Sequence, residues 1–424
     1  CPSYSGNPTN WRRKSRSEWG RLGMKSEWKS STIGEACLLV TDGSHSSPKS
    51  TDTGEYMVSV KDFTPYGFDF SSCKRISSED YAALKRNGCV PKVGDILVGK
   101  DGARYFEDII IYDQPEHPAL LSSIAILRCN PQEIVSEFLY YLMKTPSFKQ
   151  HVRDNYGSGS AIPRIILKDF KRMPIQYPAI DEQEKICSLL SRIDGKIKVN
   201  IQINDNLEQQ AQTLFQKLFV ENVNFKWRKG TISDLGTVVG GSTPSKSKPE
   251  YYTEHGIAWI TPKDLSVNKS KFIAHGENDI TELGLKNSSA SIMPEGTVLF
   301  SSRAPIGYIA IAAGEVTTNQ GFKSVVPKAE IGTPFVYYFL KNALPTIEGM
   351  ASGSTFKEVS GSTMKDVPAL IPDSETLAKF NEFCGPLFGQ QQVLERQNQS
   401  LAALRDSLLP KLMSGEIDVS DVSI

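Results

Sequence analysis

The residues best suited to chemistry in this 424-residue chain are cations in loops. Lys49, Lys61, Lys100 and Arg104 stand in the first half, Lys246, Lys248, Lys263 and Arg303 in the second. Their neighbours are small and polar, as in Asp42-Gly43-Ser44-His45-Ser46-Ser47-Pro48-Lys49, Gly99-Lys100-Asp101-Gly102-Ala103-Arg104, the stretch 240–248 and Ser301-Ser302-Arg303. Lys61-Asp62 and Lys263-Asp264 end predicted strands in both halves. Such loops suit a polyanion. Phosphate oxygens accept from Lys, Arg, hydroxyl and backbone N–H groups, and a few long polar side chains read base edges in a groove. Any one of these residues alone reads as a solvated loop charge; recurrence in both halves singles the sets out.

Catalytic constellations are missing by spacing. The stretch 240–247, GGSTPSKS, has Ser245 where a phosphate-binding loop of the form G-x-x-x-x-G-K-[ST] needs its second glycine. No G-x-G-x-x-G follows a strand pattern, so neither a dinucleotide fold nor a methyl-donor fold is supported. His45, His117, His151, His255 and His275 have no H-E-x-x-H spacing. No Pro-Asp precedes an acidic-x-Lys triplet of the nuclease type. No metal ligand set and no cofactor site is read in this chain.

What could position such loops is a coiled coil. With Ile186 at heptad position a, the a series runs Ile186, Ile193, Asn200, Leu207, Leu214 and the d series Leu190, Ile197, Asn204, Ala211, Leu218. A 3.5-residue apolar repeat keeps one stripe of a helix facing a partner helix. The stretch 181–219 would make a rod of roughly 58 Å, opened by a capping box of Asp181 and Glu184.

The partner helix comes from an internal repeat. Shifted on itself by 194 positions, the chain places Ser158-Gly159-Ser160 on Ser352-Gly353-Ser354, Pro174 on Pro368, and Pro178 on Pro372. Ile186, Ile193, Leu207, Leu214 and Leu218 fall on Phe380, Leu387, Leu401, Leu408 and Leu412. With small shifts for loops, Phe138-x-Tyr140-Tyr141 matches Phe335-x-Tyr337-Tyr338, Gly94 matches Gly296, Lys61-Asp62 matches Lys263-Asp264, and Trp28 matches Trp227. Short strand patterns (94–98, 123–127, 297–300) mix with short helices (136–144, 334–341). The fold class is α+β: two pseudo-symmetric mixed α/β domains and two long antiparallel coiled-coil helices. Asn200 and Asn204 should lie beside Leu394 and Asn398; polar residues at a and d fix register, or they are partly exposed near a bend. The second helix, 375 to about 413, carries Gln391 and Arg405 in its seam, two glycines (Gly385, Gly389) and Pro410. A shorter or bent rod is expected there. The boundaries read as an extension at 1–23, a first domain at 24–180, a central helix at 181–222, a second domain at 223–374, and a distal helix with tail at 375–424. Met24 reads as a true start, which makes 1–23 a disordered upstream extension.

Composition sets outer limits. The seven cysteines are scattered and form no C-x-x-C, which argues for a reducing cytoplasm and against a disulfide scaffold. Net charge is zero, whereas nucleic-acid binders are usually basic; the charge must be segregated or a partner must supply part of the basic surface. No apolar run is long enough to span a bilayer, and no signal peptide is visible.

Three stretches carry a family resemblance. Pro178-Ala179-Ile180-Asp181-Glu182-Gln183-Glu184-Lys185-Ile186 is similar to the opening of the central conserved helix in specificity subunits of Type I restriction–modification systems. Leu404-Arg405-Asp406-Ser407-Leu408-Leu409-Pro410-Lys411-Leu412-Met413-Ser414-Gly415-Glu416-Ile417 resembles the end of their distal helix. Trp227-Arg228, Thr231-Ile232-Ser233-Asp234-Leu235, Ser242-Thr243-Pro244, Trp259-Ile260-Thr261-Pro262-Lys263-Asp264-Leu265 and Thr318-Asn319-Gln320-Gly321-Phe322 resemble a target-recognition domain. The first half departs, with Ser122-Ser123-Ile124 where the second has Asn319-Gln320-Gly321. The resemblance implies a non-catalytic subunit that binds double-stranded DNA, one domain per half of a split site. It also implies two methylase subunits carrying S-adenosylmethionine, and restriction subunits carrying ATP and magnesium. An enzyme of the Type IIB kind, or a coiled-coil adaptor without DNA specificity, are the alternatives.

Overall fold

The computed structural model describes residues 28–157, 163–224, 226–353 and 357–422. The 1–23 extension and the Ser158-Gly159-Ser160 match, with Ser354 opposite it, lie outside the described residues. The chain divides into two compact units. One takes the residues up to Lys198 and those from Ser400; the other is Val199–Gln399.

Each unit repeats one frame. The first holds an antiparallel sheet in the order Cys37–Asp42, Ile124–Cys129, Ile96–Gly99, Ile109–Ile111. The second holds Gly236–Gly240, Lys323–Pro327, Val298–Ser302, Ile306–Ala312 in the same order, and Phe272–Ile273 adds a fifth strand parallel to the fourth. A smaller sheet in each contains one parallel pairing, Glu55–Val58 with Ala119–Leu120 and Ile257–Ile260 with Thr317–Thr318. A two-stranded ribbon closes each base, Lys29–Thr32 on Pro174–Tyr177 and Arg228–Thr231 on Pro368–Ile371.

Matched residues do matched work. Thr32 with Glu35, and Thr231 with Asp234, form capping boxes on one-turn helices. These reciprocal bonds satisfy orphan donors at a helix start. Gly94 and Gly296 sit at φ +89° and +84°, where a Cβ is disfavoured. Their N–H groups donate to the Tyr112 and Ala312 carbonyls, both at 2.9 Å. Lys61 and Lys263 do not end strands, as the sequence reading has them. They ride on short helical turns, Val60–Asp62 and Pro262–Val267, because Ser59 and Thr261 are caps whose N–H groups donate to Asp62 and Asp264.

Both long helices are present, Ile180–Phe215 and Ser374–Met413, the first continuing into a π turn at Gln216–Glu221. Asp181 lies inside the first helix, so the expected capping box does not form its start. Gln183 anchors it instead: fully buried, it accepts from the Val135 N–H at 2.9 Å and donates to the carbonyls of Glu133 and Pro178. The second helix runs 40 residues through Pro386 and Pro410, against 36 residues and a six-residue π turn in the first, so neither its glycines nor its prolines cut it short. Gly385, ahead of Pro386, has no Cβ to clash with the proline ring.

Within each unit the helix halves pair antiparallel. In the first, Ile186 and Leu190 share a core with Leu409 and Leu412. In the second, Phe215 packs on Phe380 with centroids 5.9 Å apart. Phe215, not Leu214, takes the fully buried position late in the first helix, so the seam steps by four residues from Ala211 instead of three. Each aromatic so buried contributes about 1.5–3 kcal/mol.

Candidate nucleic-acid interface

In the second unit, stretches far apart in sequence converge on one edge. The Ser242 N–H donates to the Thr318 carbonyl at 2.8 Å, and the Asn319 N–H to the Ile260 carbonyl at 3.0 Å. Trp259 Nε1 donates to the Ser242 carbonyl at 3.0 Å. The Ser302 N–H reaches the Gly321 carbonyl at 2.7 Å, and the Val359 N–H the Ser302 carbonyl at 3.0 Å. Gly241 permits this closeness: a Cβ there would lie 1.9 Å from the Asn319 carbonyl oxygen. Ala304 at φ +50° turns the chain directly after Arg303.

Polar side chains gather on this frame. Thr243 donates to Gln320 Oε1, and Lys323 Nζ lies 3.5 Å from the Gln320 carbonyl. Arg303 and Lys323 share one carboxylate, Glu358, at 3.4 and 3.9 Å. Two cations against one anion leave the edge positive. Burial lowers the Lys323 ammonium below the usual lysine range, with Glu358 opposing that shift. Lys246 is exposed near by in sequence and enters no ion pair among the described residues; Lys248 lies 3.7 Å from Glu250, and Lys263 meets Glu277 at 2.5 Å.

The first unit builds the same frame with other chemistry. The Ser44 N–H donates to the Leu120 carbonyl at 2.7 Å, and the Ile165 N–H to the Lys100 carbonyl at 3.0 Å. Gly43 repeats the close approach, a Cβ there lying 2.2 Å from the Leu120 oxygen. Lys100, however, does not stand on the surface where the sequence reading puts it. It is 6% exposed, with Asp42 at 3.3 Å and Asp101 at 3.6 Å. A buried cation holding a buried carboxylate is not available to a phosphate. Arg104 is exposed and paired with Asp108 at 2.7 Å. Lys49 and Lys61 are exposed and enter no ion pair among the described residues. Lys74, overlooked in the sequence, fixes the loop before Lys49 by donating to Ser47 and Pro48.

The helices anchor each unit through a tyrosine. Tyr141 donates to Asp194 at 2.9 Å, and Arg405 meets Asp194 at 2.7 Å. In the second unit Tyr338 donates to Glu208 at 2.9 Å, and Lys271 and Lys341 pair with Glu208 at 2.6 and 3.0 Å. Burial would raise the Glu208 carboxyl, but the two ammonium groups outweigh it and hold it down at about 2. Burial drives Lys271 down to about 8 despite Glu208. Gln391 joins them, accepting from Lys271 at 2.9 Å and donating to the Asn204 carbonyl. So Gln391 and Arg405, which look like seam defects in sequence, are tethers. Asn200 is fully buried and donates to Asn398 and Gln397, both at 2.8 Å; Leu394 is buried beside them in the sequence of the second helix. Ile193, Leu207, Leu401 and Leu408 are half-buried along the same stripes.

The family model described as "Type I restriction modification DNA specificity domain" matches twice, over residues 25–209 and 224–404. The specificity subunit of the Type I restriction enzyme MjaIX from Methanocaldococcus jannaschii is 38% identical over 194 residues, covering 44% of this chain and 45% of that one. The chain therefore spans under half the length of that relative. The HindI specificity subunit from Haemophilus influenzae is 22% identical over 428 residues, covering 82% of this chain and 90% of its own. A crystal structure of a Type I restriction–modification S subunit from M. genitalium shares the fold with a TM-score of 0.51 at 18% identity, covering 92% of this chain and 96% of that one. Among the described residues, no helix is long and apolar enough to cross a membrane.

Proposed function

Because this chain belongs to the Type I restriction–modification DNA specificity family, with two copies of the family's domain, we propose that it is a sequence-specific DNA-binding subunit without catalytic activity of its own. Each unit reads one half of a split double-stranded site. The observation that carries this reading is the shared frame: distant loops brought to one edge in both units, with Arg303, Lys323, Gln320 and Thr243 gathered on it in the second. Cations there neutralise phosphates, and Gln320 and Arg303 have the bidentate ends that read adenine and guanine edges.

The long helices act as a ruler, setting the unspecified spacer between half-sites. Two methylase subunits bind the equivalent faces and bring S-adenosylmethionine; restriction subunits bring ATP and magnesium. The zero net charge fits partners that enclose the DNA jointly.

Inserting one heptad in both helices tests this. Seven residues add roughly 10.5 Å, about three base pairs at roughly 3.4 Å each. A gel shift with the methylase partner should then select the same half-sites with a longer spacer, and binding should fall steeply with salt. Unchanged spacing defeats the ruler; no sequence selectivity in the unmodified chain defeats the DNA-reading role.

A further inference from the structure

The first unit contains a pair of thiols that neither DNA reading nor helix pairing uses. Cys37 opens strand Cys37–Asp42, and Cys129 closes strand Ile124–Cys129. The two are direct partners in the antiparallel register, after a bulge that leaves Leu38 unpaired and 65% exposed. Opposed residues on antiparallel strands face the same side of the sheet, with Cα atoms roughly 4.5–5.5 Å apart. That separation lies inside the about 4.4–6.8 Å that a disulfide spans. Both side chains face one apolar core, Cys129 at 7% exposure and Cys37 half-buried at its margin. Both are free thiols in this structure.

We propose that Cys37 and Cys129 are a reversible modification site, a dithiol that a peroxide converts to a cross-strand disulfide. Cys37, the more exposed of the two, is the sulfur that a peroxide meets first. The Cys37 thiolate attacks one peroxide oxygen; the O–O bond breaks, the other oxygen leaves as hydroxide and becomes water on protonation, and Cys37 is a sulfenic acid. Cys129 sulfur then attacks Cys37 sulfur; the S–O bond breaks, the leaving oxygen takes the Cys129 proton, and a second water departs. Two thiols are oxidised by one peroxide, which is reduced to two waters. A peroxide is close to water in size, so the half-buried margin at Cys37 admits it. The bulge marks a local weakness in the ladder, and the new bond would pin the strand that leads into Asp42 and the first candidate loop.

The full chain exposed to hydrogen peroxide, then alkylated, digested and weighed by mass spectrometry, tests this. The thiol count should fall by two of the seven, in a single peptide pair joining Cys37 to Cys129, and dithiothreitol should restore both. The folded chain should form this link about tenfold faster than the denatured chain, since geometry selects the pair. Cys129→Ala should abolish the link and carry Cys37 on to sulfinic acid. Thiol loss without the 37–129 link, links to other cysteines, or equal rates folded and denatured would each overturn the proposal. Because the readout is chemical, it stands or falls apart from DNA binding.

Discussion

In the first unit, the position after strand Ile96–Gly99 is Lys100, buried against Asp42; in the second, the matched position is Ser302, buried and donating to the Gly321 carbonyl at 3.1 Å. One residue later the sign of charge inverts, Asp101 against Arg303. The backbone bonds around them are the same. A shared frame therefore fixes where a loop stands and leaves its electrostatics free, which suits the proposed reading of two different half-sites. The tyrosine anchors differ in the same spirit. Tyr141 is held by a carboxylate whose cation is Arg405, and Tyr338 by a carboxylate whose cations are lysines.

The largest expected difference lies in the buried pair. Lys100→Met leaves Asp42 buried without its cation and should destabilise the first unit by about 3–5 kcal/mol. Ser302→Ala should cost the second about 1 kcal/mol. Urea unfolding followed separately for each unit measures both, and equal losses would erase the contrast. Next comes acid. Glu208 has a folded value of about 2 against an ordinary 4.5. Its contribution is present above pH 4.5 and is lost as pH falls towards 2, a total of about 3 kcal/mol. The second unit should melt progressively earlier across that window, and Glu208→Gln should flatten the dependence.

A smaller effect is expected on DNA. Arg303→Ala should weaken binding about tenfold and reduce the salt slope by about one. Asp101→Ala at the matched position should leave affinity unchanged or slightly raise it, as competition gel shifts at two salt concentrations would show. The smallest concerns the seam. Asn200 keeps one buried amide oxygen without a partner, so Asn200→Leu should raise the urea midpoint by about 1 kcal/mol of stability while loosening helix register. A fall in stability would mean that its bonds to Asn398 and Gln397 outweigh that orphan.

Much of the architecture was legible because it is periodic. The heptads from Ile186 repeat at constant spacing, the matched tyrosine pairs and glycines recur with only small shifts, and such repetition survives without knowledge of contacts. The site was less legible because its decisive partners are remote in sequence. Nothing near Lys100 points to Asp42 across the sheet, or near Arg303 to Glu358. The same remoteness hid the second helix's tethers: Gln391 and Arg405 read as flaws until Glu208, Lys271 and Asp194 are placed beside them. Pro410 and the glycines suggested a shorter or bent rod, yet the helix runs through all of them, because local propensity is a weak prior once packing decides.

The core of the first unit draws Leu409, Leu412, Met413 and Val419 from the far end of the chain, whereas the second is continuous from Val199 to Gln399. During synthesis the second unit can therefore close while the first still waits for its last apolar residues to leave the ribosome. A nascent chain stopped near residue 400 would hold a finished second unit and an unfinished first one. The unit translated first matures last, and a fault in the stretch 400–422 would be felt in the fold of residues 28–198.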